Sequence, residues 1–392
     1  MAPVDWAALR DRDYVLICPD FPPVFDHHSG ALRLLRIVEL IGQLGWPMLF
    51  AAHVPLAELP GVLGIPERRA IYEDRLRQAG VAHVTYGYEQ VEAMVTALGP
   101  HVRYAFISFP LVARDMIPLL RARCPNARLM YDMVDFHAVR LERQAELTGD
   151  EGLRAQAAMY RDIEVSAARA ADITIAISDD EKAAMLREVP DANIVVLPNI
   201  FTAMADSPLR LEDRGGVLFV GGFGHVPNGD AVRWFVAEVW PLVRAEIPDC
   251  RLRIAGSNPG EDVLALASVP GVEVLGYVPD LLPLYAQTRI SIAPLRFGAG
   301  AKGKVGESLA HGVPVVATTI GAEGMGLMDG EHVLVADTAA GFAAQVLRLL
   351  RDDALWLGLS HAGRSQVESR FSPVAAQSVL ASLFPHPTGN AT

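Results

Sequence analysis

The chain has 392 residues, with 34 basic and 46 acidic side chains giving a formal net charge of −12. Hydrophobic residues make up 51% and charged residues 20%, which suits a globular protein with room for two domains and excludes long disorder. The acidic balance leaves no basic surplus for nucleic acid, and it would not draw the chain onto an anionic membrane, although a local patch could still make a peripheral contact.

Three cysteines, Cys18, Cys124 and Cys250, lie far apart. They form neither a disulfide framework nor a zinc signature, so buried thiols in a reducing compartment are expected. The first residues are polar and charged rather than leader-like. The longest uncharged apolar stretch, Ile41–Ala57, is broken by Gly42, Gly45, Pro47 and Pro55 and is too interrupted to span a membrane. A cytoplasmic protein is expected.

In chain order, short apolar runs at Tyr14–Pro19, Pro47–Ala51, Ala82–Tyr86, Tyr104–Ser108, Arg128–Asp132 and Asp172–Ile177 read as buried strands. Helical patterns lie between them at Ala31–Leu44, Gln90–Leu98, Leu111–Arg123, Arg154–Ala171 and Asp179–Glu188. Residues 202–215 lack periodicity and end in Gly-Gly, a linker pattern. Strands then resume at Val217–Val220, Arg251–Ala255, Val272–Leu275, Ile290–Ala293, Pro314–Thr318 and His332–Val335. Helices are expected at Asp230–Ala245, Glu261–Ala267, Leu281–Ala286, Lys304–His311 and Gly341–Arg351, with Ala354–Arg370 and Pro373–Leu383 after the last strand. Alternating strand and helix implies an α/β protein with two Rossmann-like, doubly wound parallel sheets facing a central cleft. The expected domains are 1–201 and 216–372, with 373–392 as a terminal helix.

Four loops at strand carboxyl ends carry candidate chemistry. In residues 19–46, Asp26, His27, His28, Ser29 and Gly30 precede a helix, where free amides suit an anion or a sugar hydroxyl; taken alone, the segment reads more simply as an ordinary loop with Ser29 as N-cap. In residues 131–147, Asp132, Asp135, His137 and Arg140 are costly to bury unpaired. In residues 219–235, Gly221, Gly222 and Gly224 begin a dinucleotide-like turn, but Pro227 stands where a third glycine would be needed. Amides presented to a phosphate remain an option there.

The fourth loop, residues 289–326, is the most informative. Gly298, Gly300 and Gly303 lead into a helix carrying Glu307. The chain holds only three lysines against 31 arginines, and two of the three, Lys302 and Lys304, are in this loop. Backbone amides, two ammonium groups and a helix N-terminus converging on one point make a diphosphate cradle. The spacing is too short for a Walker loop. Glu307, one turn into the helix, can accept hydrogen bonds from ribose hydroxyls.

These four loops, in this order, resemble retaining GT-B glycosyltransferases of the family-four, glycosyl transferases group 1, type. The resemblance covers nearly the whole chain and is clearest over 216–326, in GAGAKGKVGESLAHGVPVVATTIGAEG. The family's usual donor motif has two glutamates separated by seven residues. Glu307 matches the second and Ala299 stands at the first, as in a branch with a Gly-x-Gly-x-Lys-x-Lys loop. The family's Arg and Lys after the first strand of the second domain are replaced by a loop with His225 and Asn228, and Lys302 would supply phosphate charge. The resemblance implies that Gly30, Gly222, Gly224, Asn228, Gly298, Ala299, Gly300, Lys302, Lys304 and Glu307 meet the donor, with the base read near Val278–Leu281. It places His137 near the transferred sugar, with Asp135 and Lys302 as further catalytic residues. Asp26, His27, His28, Ser29 and Arg140 would be on the acceptor side.

The expected activity is metal-independent, hexosyltransferase-type transfer, without cofactor, from a nucleoside-diphosphate sugar to a glycan, lipid-linked or small-molecule acceptor hydroxyl, as in polysaccharide biosynthesis. A nucleotide-sugar epimerase of the same fold and a non-catalytic nucleotide-sugar binder are the alternatives.

Overall fold

The computed structural model describes residues 5–27, 29–202 and 211–385. Seven strands form the first sheet: β1 (Tyr14–Cys18), β2 (Met48–Ala52), β3 (Val81–Tyr86), β4 (Val102–Ser108), β5 (Arg128–Asp132), β6 (Ile173–Ala176) and β7 (Ile194–Val196). Their spatial order is β3-β2-β1-β4-β5-β6-β7. The second sheet holds β8 (Gly215–Val220), β9 (Leu252–Ala255), β10 (Val272–Gly276), β11 (Thr288–Ala293), β12 (Val315–Ala317) and β13 (Leu334–Val335), ordered β10-β9-β8-β11-β12-β13. All these pairings are parallel. The chain order reverses at β1/β4 and again at β8/β11, so each sheet offers a switch-point crevice at its carboxyl edge.

Each sheet is covered on both faces. Val91, Met94, Val112, Met116 and Leu120 pack on one face of the first sheet, and Leu34, Ile37, Val38 and Ile41 on the other. The second sheet is sealed by Phe235, Trp240, Phe342 and Trp356 on one side and by Val305, Leu309 and Val367 on the other. Helix Pro373–Leu383 returns to the first domain, where Ala376, Leu380, Leu383 and Phe384 join Leu34, Ile41 and Trp46. The Trp46 indole N–H donates to the Phe384 carbonyl at 3.2 Å. Of the expected linker, residues 203–210 lie outside the described residues, as do 386–392 of the expected terminal segment.

Three elements depart from the sequence pattern. The predicted helix Asp230–Ala245 is split into Val226–Trp234, a π-helical turn Phe235–Val239 and Trp240–Glu246. Pro241 supplies no N–H and crowds the preceding turn, and the wider turn absorbs that. Helix Pro66–Gln78 buries only Tyr72 and Leu76, and helix His137–Thr148 buries Ala138, Leu141 and Ala145. Both stripes are too thin to stand out among their charged neighbours.

A buried ion pair anchors the first domain. Arg33, inside helix Ser29–Gln43, donates to both Asp132 oxygens at 2.8 and 2.9 Å and to the Leu197 carbonyl at 2.8 Å. Ser108 donates to the same carboxylate at 3.2 Å. Arg33 is 2% and Asp132 1% exposed, so neither charge has water as an alternative partner. This places Asp132, read above among the candidate polar groups, in the architecture rather than at a ligand.

The two domains meet across the cleft. Arg143, in helix His137–Thr148, donates to both oxygens of Glu323 at 2.7 and 2.8 Å and to the Gly298 carbonyl at 2.7 Å. Asn199 donates to the Ala301 carbonyl at 3.2 Å. At the other end, Asp26 accepts from Tyr72 at 2.9 Å and from Tyr277 of the second domain at 2.8 Å, while His27 stacks on Tyr277 with ring centres 5.0 Å apart. In the middle, a Cβ on Gly303 would sit 2.3 Å from the Ser29 side chain, so only glycine lets the two helix starts come this close.

Arg33→Ala should destabilise the protein by about 3–5 kcal/mol, because Asp132 is left charged and buried; urea unfolding followed by circular dichroism measures this, and a loss comparable to a surface substitution would contradict the assignment. Arg143→Ala should cost closure about 1–3 kcal/mol, the scale of charge-assisted hydrogen bonds. Small-angle scattering should then show a larger radius of gyration than wild type at unchanged helix content.

Candidate functional site

The carboxyl edges of both sheets line one cleft of about 1130 Å³. The loop after β11 forms its floor. Gly298 has φ 149° and Gly300 φ 68°, conformations open to glycine and costly for other residues. The loop's carbonyls are taken up by cations: Arg143 holds that of Gly298, and the Lys302 ammonium donates to those of Ala299 at 2.9 Å and Gly300 at 2.5 Å. Lys302 is only 7% exposed and has Glu323 at 3.8 Å. Burial pulls its pKa down to about 8.

Lys304 is in the first turn of helix Gly303–Ala310. Its ammonium donates to Asn228 Oδ1 at 2.7 Å and sits 5.2 Å from the centre of the Phe219 ring. Asn228 is itself held by donating to the Gly222 carbonyl at 2.7 Å. No carboxylate pairs with Lys304 among the described residues, and burial, helped by Lys302, lowers its pKa to about 7. Beside it, burial and the Lys304 charge hold the His225 imidazole down at about 4, hence neutral. Helices Ser29–Gln43, Val226–Trp234 and Gly303–Ala310 all begin at this cleft, with Ser29, Pro227 and Gly303 among its lining residues. The Lys304 side of the cleft therefore gathers positive charge and helix-start partial charge, and among the described residues no carboxylate pairs with that ammonium. One turn further, burial pushes the Glu307 carboxyl up to about 7.

Across the cleft, Asp135 accepts from Arg140 Nε at 3.0 Å and lies 2.9 Å from His137 Nδ1. Burial opposes its charge, but these two cations hold its carboxyl well below the usual range. His137 is locked in turn. Its ring stacks on Tyr160 with centres 5.4 Å apart, and Glu164, fully buried, accepts the backbone N–H groups of His137 at 2.9 Å and Ala138 at 3.1 Å. Burial would favour the neutral ring, yet Asp135 and Glu164 raise its pKa to about 10.

Most residues singled out from sequence line this one cleft: Asp26, His27, Ser29 and Gly30; Asp135; Gly222, Gly224 and Asn228; Val278 and Leu281; Gly298, Ala299, Lys302, Lys304 and Glu307. Three do not. The His137 ring stands among Tyr160, Phe109 and two carboxylates and is not among the residues lining the cleft; Val134 and Asp135 of that segment are. Arg140 is not among the lining residues; it pairs with Asp135, which is. Gly300 packs beneath the loop, where a Cβ would lie 2.8 Å from Ile177 and 3.2 Å from Glu181. His28 is outside the described residues. The Lys302 side chain lines the cleft while its ammonium is held on the Ala299 and Gly300 carbonyls.

The sequence reading missed Arg143 and Glu323 as a pair, along with Asn199, Ser257 and Val134. Asn199 and Ser257 follow β7 and β9, so a strand-end rule applied to every strand would have found them. Val134 has φ 65°, a strained conformation for a β-branched residue that sequence does not announce. Among the described residues no three His, Cys, Asp or Glu side chains gather as a metal site, and no helix is long and apolar enough to cross a membrane.

Comparison with known proteins follows this geometry. Residues 214–352 match the family model for Glycosyl transferases group 1. An uncharacterized 44.6 kDa protein from the cps region of Klebsiella pneumoniae is 30% identical over 139 residues, a match spanning 33% of this chain and 36% of that relative. Among solved structures, Anabaena HepE in complex with UDP superposes with a TM-score of 0.66 at 13% identity, covering 95% of this chain and 99% of HepE. A glycosyltransferase from Rickettsia africae gives 0.65 at 14% identity over 95% and 98% of the two chains. S. aureus TarM gives 0.58 at 15% identity, with this chain covering 55% of TarM and 72% of itself covered. The structural likenesses show the fold: the chain has the GT-B fold, and its residues 214–352 match the glycosyl transferases group 1 family model.

Proposed function

We propose that the protein is a retaining glycosyltransferase that moves a sugar from a nucleoside-diphosphate sugar to an acceptor hydroxyl. The observation that carries this reading is the half-buried Lys304 ammonium, facing the cleft at the start of helix Gly303–Ala310 with no anionic partner among the described residues. A diphosphate supplies the missing charge. HepE, solved with UDP and with UDP-glucose, shares the fold over nearly its whole length, and TarM was solved with UDP and an α-GlcNAc-glycerol.

On this reading the leaving diphosphate gathers charge as the glycosidic bond breaks. The amides of 298–303, the Lys304 ammonium and the helix start stabilise it in place, with no reorganisation at the moment of reaction. The positive charge is supplied by side chains and amides, so no divalent metal is required. Lys302 holds the loop carbonyls away from the phosphates. Glu307 accepts the ribose hydroxyls, and the segment 278–281 borders the base. Asp135, kept ionised by His137 and Arg140, faces the sugar that becomes electron-poor; His137 acts through Asp135, as a positioning residue. Closure by Arg143 and Tyr277 keeps water from the departing sugar. The favoured donor nucleotide is a uridine diphosphate. The acceptor is a glycan, lipid-linked saccharide or small molecule, and the site lies in the cytoplasm where such donors are made.

Incubating the protein with UDP-sugars and saccharide acceptors in EDTA should yield a glycoside and free UDP. An epimeric UDP-sugar, or strict dependence on added manganese, would overturn the reading.

Proton linkage gives a second check. At pH 8 Lys304 is mostly neutral before binding, and an anion favours its charged form, so binding UDP should take up a proton. At pH 6 Glu307 is mostly protonated, and ribose hydroxyls favour the carboxylate, so binding should release one. Calorimetry in buffers of different ionisation enthalpy measures both. Lys304→Met should shrink the uptake and Glu307→Gln the release, each leaving the other in place.

A further inference from the structure

A second, smaller chamber of about 40 Å³ adjoins the large cleft on the first-domain side. It lies at the β1/β4 switch point and shares Phe21, Gly30 and Val134 with the cleft. Its walls include Pro19, Asp20, Phe21, Ser108, Phe109 and Asp132. Asp132 is fully engaged by Arg33 and Ser108. Asp20 is not engaged: among the described residues its carboxyl makes no hydrogen bond and no ion pair. The nearby His53 is committed to Asp115 at 3.1 Å, and His137 to Asp135. Burial raises the Asp20 pKa, with both imidazoles working against the rise. Two of the three non-glycine residues with positive φ, Phe109 at 76° and Val134 at 65°, line this same chamber. A half-buried carboxyl without a partner among the described residues and two strained residues thus meet around one small space, a combination that proteins keep where a ligand compensates.

We propose that this chamber is an acceptor subsite that takes one hydroxymethyl group of a neutral saccharide, with Asp20 accepting its hydrogen bond. The volume is that of roughly one small group, since a water molecule's share of the liquid is about 30 Å³. Phe21 and Phe109 offer apolar walls to the carbon, and Asp20 offers an acceptor to the hydroxyl. A carboxylate or phosphate in that position would meet Asp20 as a like charge. The acceptor is therefore a hexose-type sugar rather than a uronic acid or a sugar phosphate at this subsite. The inference rests on the donor reading above, because only a donor held opposite makes this side the acceptor side.

The test uses the whole protein saturated with UDP, titrated by ligand-observed NMR with D-glucose, D-galactose, N-acetyl-D-glucosamine, D-xylose and D-glucuronate. At least one of the first three should bind more tightly than xylose, which lacks the hydroxymethyl group, and than glucuronate, which carries a carboxylate. Asp20→Asn should weaken that hexose about tenfold or more, the loss of one hydrogen bond to a charged group, and bring it level with xylose. The same variant should bind UDP as wild type does and melt no lower, since it removes a half-buried charge that has no partner among the described residues; Asp20→Ala supplies a second variant read the same way. Equal binding of xylose, no hexose binding to wild type, or undiminished binding to both variants each overturns the subsite. The last outcome would place the sugar in the donor's own sugar position. Wild-type protein that fails to bind UDP, by contrast, overturns the donor reading itself and the subsite with it.

Discussion

The pair between Arg33 and Asp132 fixes the geometry on which the first domain's share of the site depends. It joins three elements far apart in sequence: the helix that starts at Ser29, the end of β5, and the backbone at Leu197. Asp132 is followed within three residues by Asp135, and Leu197 within two by Asn199, so one fork of hydrogen bonds sets where both cleft residues stand. The fork also orients the helix whose start meets Gly303. A bidentate guanidinium tolerates little error in angle. The pair need not add net stability over an apolar replacement to matter in this way.

From that frame the cleft becomes a problem of charge. Cations under the loop take up its carbonyls, which turns a flexible glycine stretch into an oriented surface. The Lys304 ammonium, the neutral His225 and the raised Glu307 all have their pKa values pushed by burial toward the neutral form. Such groups are poised: a small free-energy input from a ligand changes their charge. Asp135 is the exception, because its own partners keep it ionised. The site thus separates a half-neutralised floor from a firmly anionic wall.

Much of this was legible in sequence. The alternation of short apolar runs and amphipathic stretches showed two doubly wound sheets, because buried parallel strands must be apolar on both faces. The lysine pair stood out because the chain otherwise uses arginine. Other features were hidden for physical reasons. β7 is three residues long, Ile194–Val196, shorter than any periodicity can show. The role of His137 depends on Tyr160 and Glu164, which lie in another helix. Arg143 and Glu323 are 180 residues apart, and neither has a local pattern that names the other. Nor does any motif show that Asp20 lacks a partner; that requires seeing every neighbour.

The return of helix Pro373–Leu383 has a consequence for how the protein is made. The first domain's core includes Ala376, Leu380, Leu383 and Phe384, residues that leave the ribosome only after the whole second domain. At synthesis rates of about 5–20 residues per second, the first domain spends tens of seconds with the groove beside Leu34, Ile41 and Trp46 uncovered. The usual order, in which the first domain finishes before the second begins, is not open to this chain. The second domain, whose core draws on residues between Phe201 and Phe371, is complete first, and the chain's first-made apolar surface is the last to be covered.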